Sequence, residues 1–344
     1  MNMATDYLVI GGGSAGSVMA GRLSENPKVE VTLLEAGGEG ASWLVKTPAA
    51  AVAMLPTRIN NYAFETVPQL GLNGRRGYQP RGKGLGGSSA INAMVYTRGH
   101  RSDYDHWASL GNTGWSYDEL LPYFKRSENN GRIHDEFHGN SGPLHVSDLQ
   151  TQNPFHQIYL NAARQAGFPI NHDFNGATQE GLGIYQVTQR NGERWSAARA
   201  YLHQHMGQRQ NLHVETGVQV TRILFEGRRA VGVECLQSGR QRVIRARREV
   251  ILCAGAFQSP QLLMVSGVGP GAHLQQHGIE VLHDLPGVGE NLHDHPDAVL
   301  VADAPGHTDL IGVSPKGLWH TLQALWAWRQ HRSGRLTTNF AEGG

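Results

Sequence analysis

The stretch that most limits what this chain can fold into is its beginning. Asp6 to Ile10 reads as a buried strand that runs straight into Gly11-Gly12-Gly13-Ser14-Ala15-Gly16. Ser14 to Ser24 reads as a helix with Val18, Met19 and Leu23 on one side, stopped by Asn26-Pro27. Val29 to Leu34 reads as a second strand ending on Glu35, 22 positions after Gly13. Strand, G-x-G-x-x-G, helix, strand, acid is the order of a βαβ dinucleotide-binding unit, whose acidic residue stands about 20 positions on. Each residue type has a physical reason. Gly11 makes the turn, Gly13 lets the backbone reach a pyrophosphate, and Gly16 lets helix and strand pack closely. The helix N-terminus offers unpaired N–H groups to phosphates, and Glu35 accepts from ribose hydroxyls. A bare structural turn is the bland alternative, and the full βαβ context argues against it.

A second glycine-rich stretch runs from Arg81 to Tyr96. In its first half Gly alternates with small residues, so the backbone can lie flat against a large ligand. From Ser88 onward, hydroxyls and an amide precede the apolar run Ile91, Met94, Val95, Tyr96, which a flexible linker would lack. Three features favour FAD over a nicotinamide dinucleotide. Residues 36 to 80 are irregular where further βαβ repeats would be expected. The loop at 82–89 supplies a second surface for a long ligand. Glu249 to Ala256 reads as a strand ending in small residues, a third place for close backbone approach.

Composition narrows the class. With 39% hydrophobic and 17% charged residues, the 344-residue chain can bury a core. Its 44 glycines fall in short clusters rather than repeats. A net charge of +1, with basic residues dispersed apart from Arg240 to Arg248, argues against a nucleic-acid partner. Cys235 and Cys253 have neither disulfide-framework nor zinc spacing, so free thiols are expected. No signal peptide or run of 18 apolar residues is visible, so a cytoplasmic location is expected. Helices are expected over Ser102–Leu110, Tyr117–Ser127 and Pro154–Gly167. Asn130 to Gly142 reads as a lid or, equally, a plain surface loop. Lys316 to Arg332 reads as an aromatic, basic-ended helix that caps a domain. Peripheral contact at the inner membrane is its less favoured reading. His283, His293 and His295 with Asp284 and Asp294 are the densest ligand-type cluster, yet no metal site is expected there.

These motifs together resemble the glucose–methanol–choline (GMC) oxidoreductases, flavin-dependent alcohol oxidases and dehydrogenases, and most of all their bacterial choline-dehydrogenase-like branch. One signature runs from Gly82 through Leu85-Gly86-Gly87-Ser88-Ser89, Asn92, Tyr96 and Gly99 to Asp105. A second comprises Gly255-Ala256, Ser259-Pro260, Leu262-Leu263 and Ser266-Gly267-Val268-Gly269. A third comprises Pro286 to Leu292 with Asp294-His295-Pro296. The resemblance implies an α/β fold: a Rossmann-like FAD-binding core, doubly wound and discontinuous in sequence. The beginning of an α+β substrate domain follows it. The expected division is 1–295 for the FAD-binding domain, with insertions around 40–80 and 130–195, and 296–344 for the start of the substrate domain.

By the same resemblance, Gly11, Gly13, Ser14, Ala15, Gly16, Glu35 and Ala36 hold the ADP half of FAD. Gly84, Gly87, Ser88 and the run Asn92, Ala93, Met94, Val95 line the pyrophosphate and isoalloxazine, and the Val220 backbone meets the adenine. Ile91 stands where some members carry a flavin-linked His, so the FAD is expected to be non-covalent. The implied reaction is oxidation of a primary alcohol, choline-like or aliphatic, by hydride transfer to flavin N5, with oxygen or a quinone-like carrier as electron acceptor. The family's C-terminal base-bearing segment has no match here, so the catalytic base is expected outside this chain and no histidine is assigned that role. A flavin-dependent cyanohydrin lyase and a non-catalytic flavin-binding fragment or pseudo-enzyme remain the alternatives. Gly192 to Tyr201 resembles a family segment to which no chemistry is assigned.

Overall fold

The computed structural model describes residues 4–151, 153–295, 298–301 and 314–344. Pro296 of the third family stretch, where the expected substrate domain begins, lies outside them. The chain divides into two compact units. The first comprises Met1–Ala41, Thr57–Ile91 and Ala197–Asp303; the second comprises Ser42–Pro56, Asn92–Ser196 and Ala304–Gly344.

The first unit is built on a six-stranded sheet. Its strands are β1 (Ala4–Ile10), β2 (Val31–Glu35), β3 (Leu212–Thr216), β4 (Val218–Glu226), β5 (Arg229–Gln237) and β6 (Arg240–Leu252). They lie in the order β3-β2-β1-β6-β5-β4. β3, β2, β1 and β6 are parallel, while β5 and β4 extend the sheet antiparallel. β1 and β2, the strands between β3 and β6, carry the buried apolar runs Leu8 to Ile10 and Leu33-Leu34 because both faces of the sheet are covered there. Leu8 and Ile10 enter one core cluster with Leu34, Val220, Val233 and Leu262, and Val9 enters the other with Val31, Leu33, Leu85 and Leu202. That is the period-2 alternation of a strand.

Helix α1 (Ser14–Leu23) differs from the sequence reading in the face it buries. Its buried residues are Gly16, Ser17, Ala20 and Gly21 rather than Val18, Met19 and Leu23. The reason is distance: a Cβ on Gly16 would overlap the Gly11 carbonyl oxygen, and one on Gly21 would overlap that of Tyr201. Small residues let the helix lie close, and the larger ones are left half-buried at its flanks. The basic run Arg240–Arg248 is spread along β6, where Arg242 pairs with Glu215, Arg245 with Glu226, and Arg247 and Arg248 with Asp6. Helix α2 (Gly255–Val265) follows β6. Both cysteines are free.

The second unit carries the helices Arg101–Ser109, Tyr117–Ser127 and Phe155–Gln165 at the expected places. The loop read as a lid is tied down at its ends. Glu128 Oε2 accepts from Arg98 Nη2 at 2.7 Å and from the Gly139 N–H at 3.1 Å, all buried, and Asn130 N donates to Gly139 O at 2.8 Å. The aromatic helix spans Pro315–His331. It is not aromatic on one face alone: Trp328 is buried with Ala49, Ala324 and Leu336, whereas Trp319 and Trp326 are exposed. Among the described residues no helix is long and apolar enough to cross a membrane.

Candidate nucleotide site

Five backbone segments of the first unit converge at the C-terminal ends of its parallel strands, where open α/β sheets bind ligands. They are the β1–α1 turn, the end of β2, residues 84–88, the start of β4 and the β6–α2 turn. Backbone bonds stitch them together. Gly11 N donates to Leu34 O (2.8 Å), Gly86 N to Gly12 O (2.8 Å), Leu85 N to Gly38 O (2.9 Å), Gly217 N to Gly37 O (2.9 Å) and Cys253 N to Ile10 O (2.8 Å).

Glu35 is the centre of this stitching. It is buried, and its carboxylate accepts N–H groups from Gly12 (2.8 Å), Gly37 (2.7 Å) and Gly84 (2.9 Å). A carboxylate offers about four lone-pair sites, so one remains for a ligand hydroxyl. The sequence reading gave Glu35 only the ribose; its hold on three loops was not foreseen.

Gly13 and Gly87 bring two of these loops into direct contact. A Cβ built on Gly87 (φ +52°) would lie 2.7 Å from the Gly13 Cα. One built on Gly13 would meet nothing nearer than 3.9 Å. Gly11 (φ +94°) makes the turn into α1, where any Cβ would meet the Cys253 carbonyl oxygen at 2.6 Å. Ser14 and Ala15 are exposed, and their N–H groups precede the first intrahelical bond, Ser17 N to Gly13 O (3.0 Å). No side chain caps this helix end.

Between these loops lies a cavity of about 470 Å³. Of the sequence-predicted residues, Gly11, Gly13, Ser14, Ala15, Glu35, Ala36, Gly87, Ser88 and Val220 line it. Gly16 and Gly84 do not; Gly16 serves helix packing and Gly84 serves Glu35. Asn92, Ala93, Met94 and Val95 fall in the second unit.

Sequence reasoning missed the aromatic part of the lining. Tyr62 and Phe64 stack with ring centroids 5.0 Å apart, Phe257 meets Phe64 edge-on at 5.9 Å, and the Arg81 guanidinium lies 4.6 Å from the Phe257 centroid. Burial pushes the Tyr62 phenol up. The irregular stretch 36–80 gave no periodicity from which to place these rings.

One titratable cluster of the second unit also escaped the sequence. Asp135, His138 and Asp173 bring ligand-type atoms within 4.8 Å of one another. His138 is completely buried; its Nδ1 lies 2.8 Å from Asp135 and its Nε2 lies 3.4 Å from Asp173. Burial alone pulls the imidazole down. The bonds to Asp173 and Asp135 and the charge of Glu128 outweigh it, so its pKa is raised. Each ring nitrogen faces one carboxylate, the arrangement of an imidazole set between two acidic partners. Among the described residues, His283, His293 and His295 gather no comparable group.

The family model described as GMC oxidoreductase matches residues 5–297. The chain is 45% identical over 342 residues to "Alcohol dehydrogenase [acceptor]" of Pseudomonas putida, covering 98% of this chain and 62% of that protein. It is 48% identical over 296 residues to "Choline dehydrogenase, mitochondrial" of Homo sapiens, covering 84% of this chain and 50% of that protein. Among solved structures it is similar to an FAD-dependent oxidoreductase from Chaetomium thermophilum, with a TM-score of 0.87 and 30% identity. That match covers 98% of this chain and 61% of the other. The chain thus spans between half and two thirds of the length of these relatives.

Proposed function

Because this chain belongs to the glucose–methanol–choline (GMC) oxidoreductase family, we propose that it is the nucleotide-binding part of an FAD-dependent oxidoreductase acting on a primary alcohol, choline-like or aliphatic. The observation that carries this reading is a wall shared by three backbone segments, two of them glycine-lined. Gly11 with Gly13 to Ala15, Gly87-Ser88 and the Val218–Val220 strand start all line one cavity of about 470 Å³. A flavin nucleotide fits it on physical grounds. The volume lies in the range of ligand sites, the Gly13–Gly87 contact leaves no room for a Cβ on Gly87, and an uncapped helix N-terminus faces anions well.

When bound, FAD supplies an acceptor for hydride at flavin N5. The chain's own residues hold and orient. The first-turn N–H groups of Ser14 and Ala15 take the pyrophosphate, and Gly87 and Ser88 flank it. Glu35, fixed by three backbone N–H groups, accepts from a ribose hydroxyl with its remaining lone pair. Ala36 and Val220 meet the adenosine end through backbone, while Gly16 and Gly84 act from behind the wall. Asn92 to Val95 are assigned to the isoalloxazine on the family resemblance. Ile91 carries no nucleophilic atom, so no covalent link to the flavin forms at this position, and the FAD is proposed to be held non-covalently.

No residue of this chain is assigned the base that takes the hydroxyl proton. The segment 296–344 is proposed as the start of the substrate domain. Oxygen and a quinone-like carrier are the two candidate electron acceptors. Titrating the purified chain with FAD tests the reading. We expect quenched flavin fluorescence at one FAD per chain, and all the flavin free in the supernatant after acid precipitation. No uptake of FAD at saturating concentration would contradict the binding reading. Flavin pelleting with the protein would contradict the non-covalent one.

A further inference from the structure

Asp135, His138 and Asp173 come together within the second unit, and flavin binding uses none of them. The His138 side chain is completely buried, and its two ring nitrogens are placed differently. Nδ1 lies 2.8 Å from Asp135 Oδ1, which also accepts the Phe137 N–H at 2.9 Å. Burial pushes the Asp135 carboxyl up, but the bonds from His138 and Phe137 outweigh that and hold it below its ordinary value. The carboxylate is therefore ionised and can only accept, so Nδ1 carries a hydrogen. A neutral ring then turns the lone pair of Nε2 toward Asp173.

Nε2 stands 3.4 Å from Asp173 Oδ1. That is longer than the roughly 2.7–3.2 Å of an N–H···O bond. Among the described residues Nε2, though buried, has no hydrogen-bond partner. The gap instead matches two ligands of one ion. With bonds of about 2.0–2.2 Å, neighbouring corners of a tetrahedron lie roughly 3.3–3.6 Å apart. Asp173 is fixed in place by its own turn: its N–H donates to Asn171 Oδ1 (2.8 Å) and its Oδ1 accepts from Asn175 N (2.9 Å). A histidine that gives its far N–H to a carboxylate while its near nitrogen faces a cation is the arrangement metal-binding imidazoles use.

Charge points the same way. The carboxylates of Asp173, Asp135 and Glu128 bear on the ring, and the guanidinium among them, Arg98, pairs with Glu128 at 2.7 Å. The carboxylates outnumber it. A neutral ring thus sits in an excess of negative charge, which a divalent cation offsets more fully than one proton on Nε2.

We infer that these residues form a divalent-metal site of the zinc type: His138 Nε2 and an Asp173 oxygen ligate the ion, Asp135 orients the imidazole from behind, and water completes the shell. Bound there, the ion clasps the 135–138 loop to the 171–175 turn. Every residue of the site lies in the second unit, so the inference is independent of the flavin reading.

Crystals of the full chain soaked in zinc chloride, with diffraction recorded on both sides of the zinc absorption edge, test it directly. The expected result is an anomalous peak within bonding distance of His138 Nε2 and an Asp173 oxygen. Zinc on other histidines only, or no zinc, overturns the inference. A solution test at about pH 8, where the ring gives up its second proton more readily, uses competition against a chromophoric zinc chelator. One zinc per chain should be lost in His138→Gln and in Asp173→Asn, with far-ultraviolet circular dichroism checking that each variant is folded. Asp135→Asn should bind zinc about 10–100-fold more weakly. Wild-type zinc affinity in folded His138→Gln overturns the site, and wild-type affinity in Asp135→Asn overturns the orienting role of Asp135.

Discussion

Glu35 Oε1 accepts the backbone N–H of Gly84 at 2.9 Å, a bond that spans 49 positions of sequence. With the N–H groups of Gly12 and Gly37 on the same carboxylate, it makes one buried side chain the fastener of three loops. Hydrogen bonds to a charged group are the stronger kind, and each N–H left unpaired in a buried place has its own cost. Glu35→Ala should therefore lower the unfolding free energy by roughly 3–5 kcal/mol. Glu35→Gln should fall between it and wild type, because an amide retains one acceptor but turns donors toward N–H groups. Urea denaturation followed by tryptophan fluorescence gives both values.

The Gly13–Gly87 contact separates two roles for glycine. Gly87→Ala puts a Cβ 2.7 Å from the Gly13 Cα at a φ of +52°, so we expect a loss of about 2–4 kcal/mol. Gly13→Ala has room, with its nearest neighbour at 3.9 Å and an ordinary φ of −66°, and should change stability by less than about 1 kcal/mol. Its methyl would instead stand where a pyrophosphate approaches, so FAD affinity should fall about tenfold. Thermal melts and FAD titrations of the two variants, run side by side, distinguish structure from ligand approach.

Sequence reading reached the parts of this site that are set by local spacing. The positions of Gly11, Gly13 and Glu35 on the cavity wall, and of Gly16 against the turn, are readable because strand, turn and helix follow each other without a break. The three donors on Glu35 are not readable, since Gly84 joins from a loop whose spacing carries no register with β2. Helix α1 defeats an apolar-face rule because close approach to the Gly11 carbonyl and to that of Tyr201 selects Gly16 and Gly21 over larger residues such as Val18 and Leu23. Trp328 and Trp326 sit two positions apart and are equal in any hydropathy pattern; Trp328 goes inside against Ala49 and Leu336, with its Nε1 donating to Gly192 O, contacts too distant in sequence to be read. His138 and Asp173 belong to separate loops, and nothing in either marks the other.

His138 gives a pH dependence with a defined sign. Its folded pKa is raised above the ordinary value of 6.5 by Asp173, Asp135 and Glu128, against the pull of burial. Such a group contributes stability that is fully present below its unfolded pKa and is lost as pH rises through the folded one. The difference in urea midpoint between wild type and His138→Gln should therefore be largest near pH 6 and shrink steadily above it. A difference that stays constant or grows toward alkaline pH would mean that the ring is neutral in the fold.

Glu342 should act at the opposite end of the scale. Burial pushes its carboxyl up, but bonds from Thr338, Asn153 and His156 outweigh that and hold it below the ordinary value of 4.5. The His156 Nε2 contact is 2.7 Å and the Asn153 Nδ2 contact 2.5 Å. A depressed carboxyl stabilises above its unfolded pKa and loses that contribution as pH falls through the folded one. Glu342→Gln should be less stable than wild type at pH 7, with the gap closing as pH falls below the ordinary 4.5 and through the lower folded value. Acid unfolding curves of the two proteins measure this.

The central claim is that the glycine-lined cavity of the first unit holds a flavin nucleotide. Diffraction from crystals of this chain grown with FAD tests it most directly. The account predicts pyrophosphate density against the N–H groups of Ser14 and Ala15, with the adenosine end beside Glu35 and Val220. Nucleotide density elsewhere on the chain, or an empty cavity at saturating FAD, would contradict it.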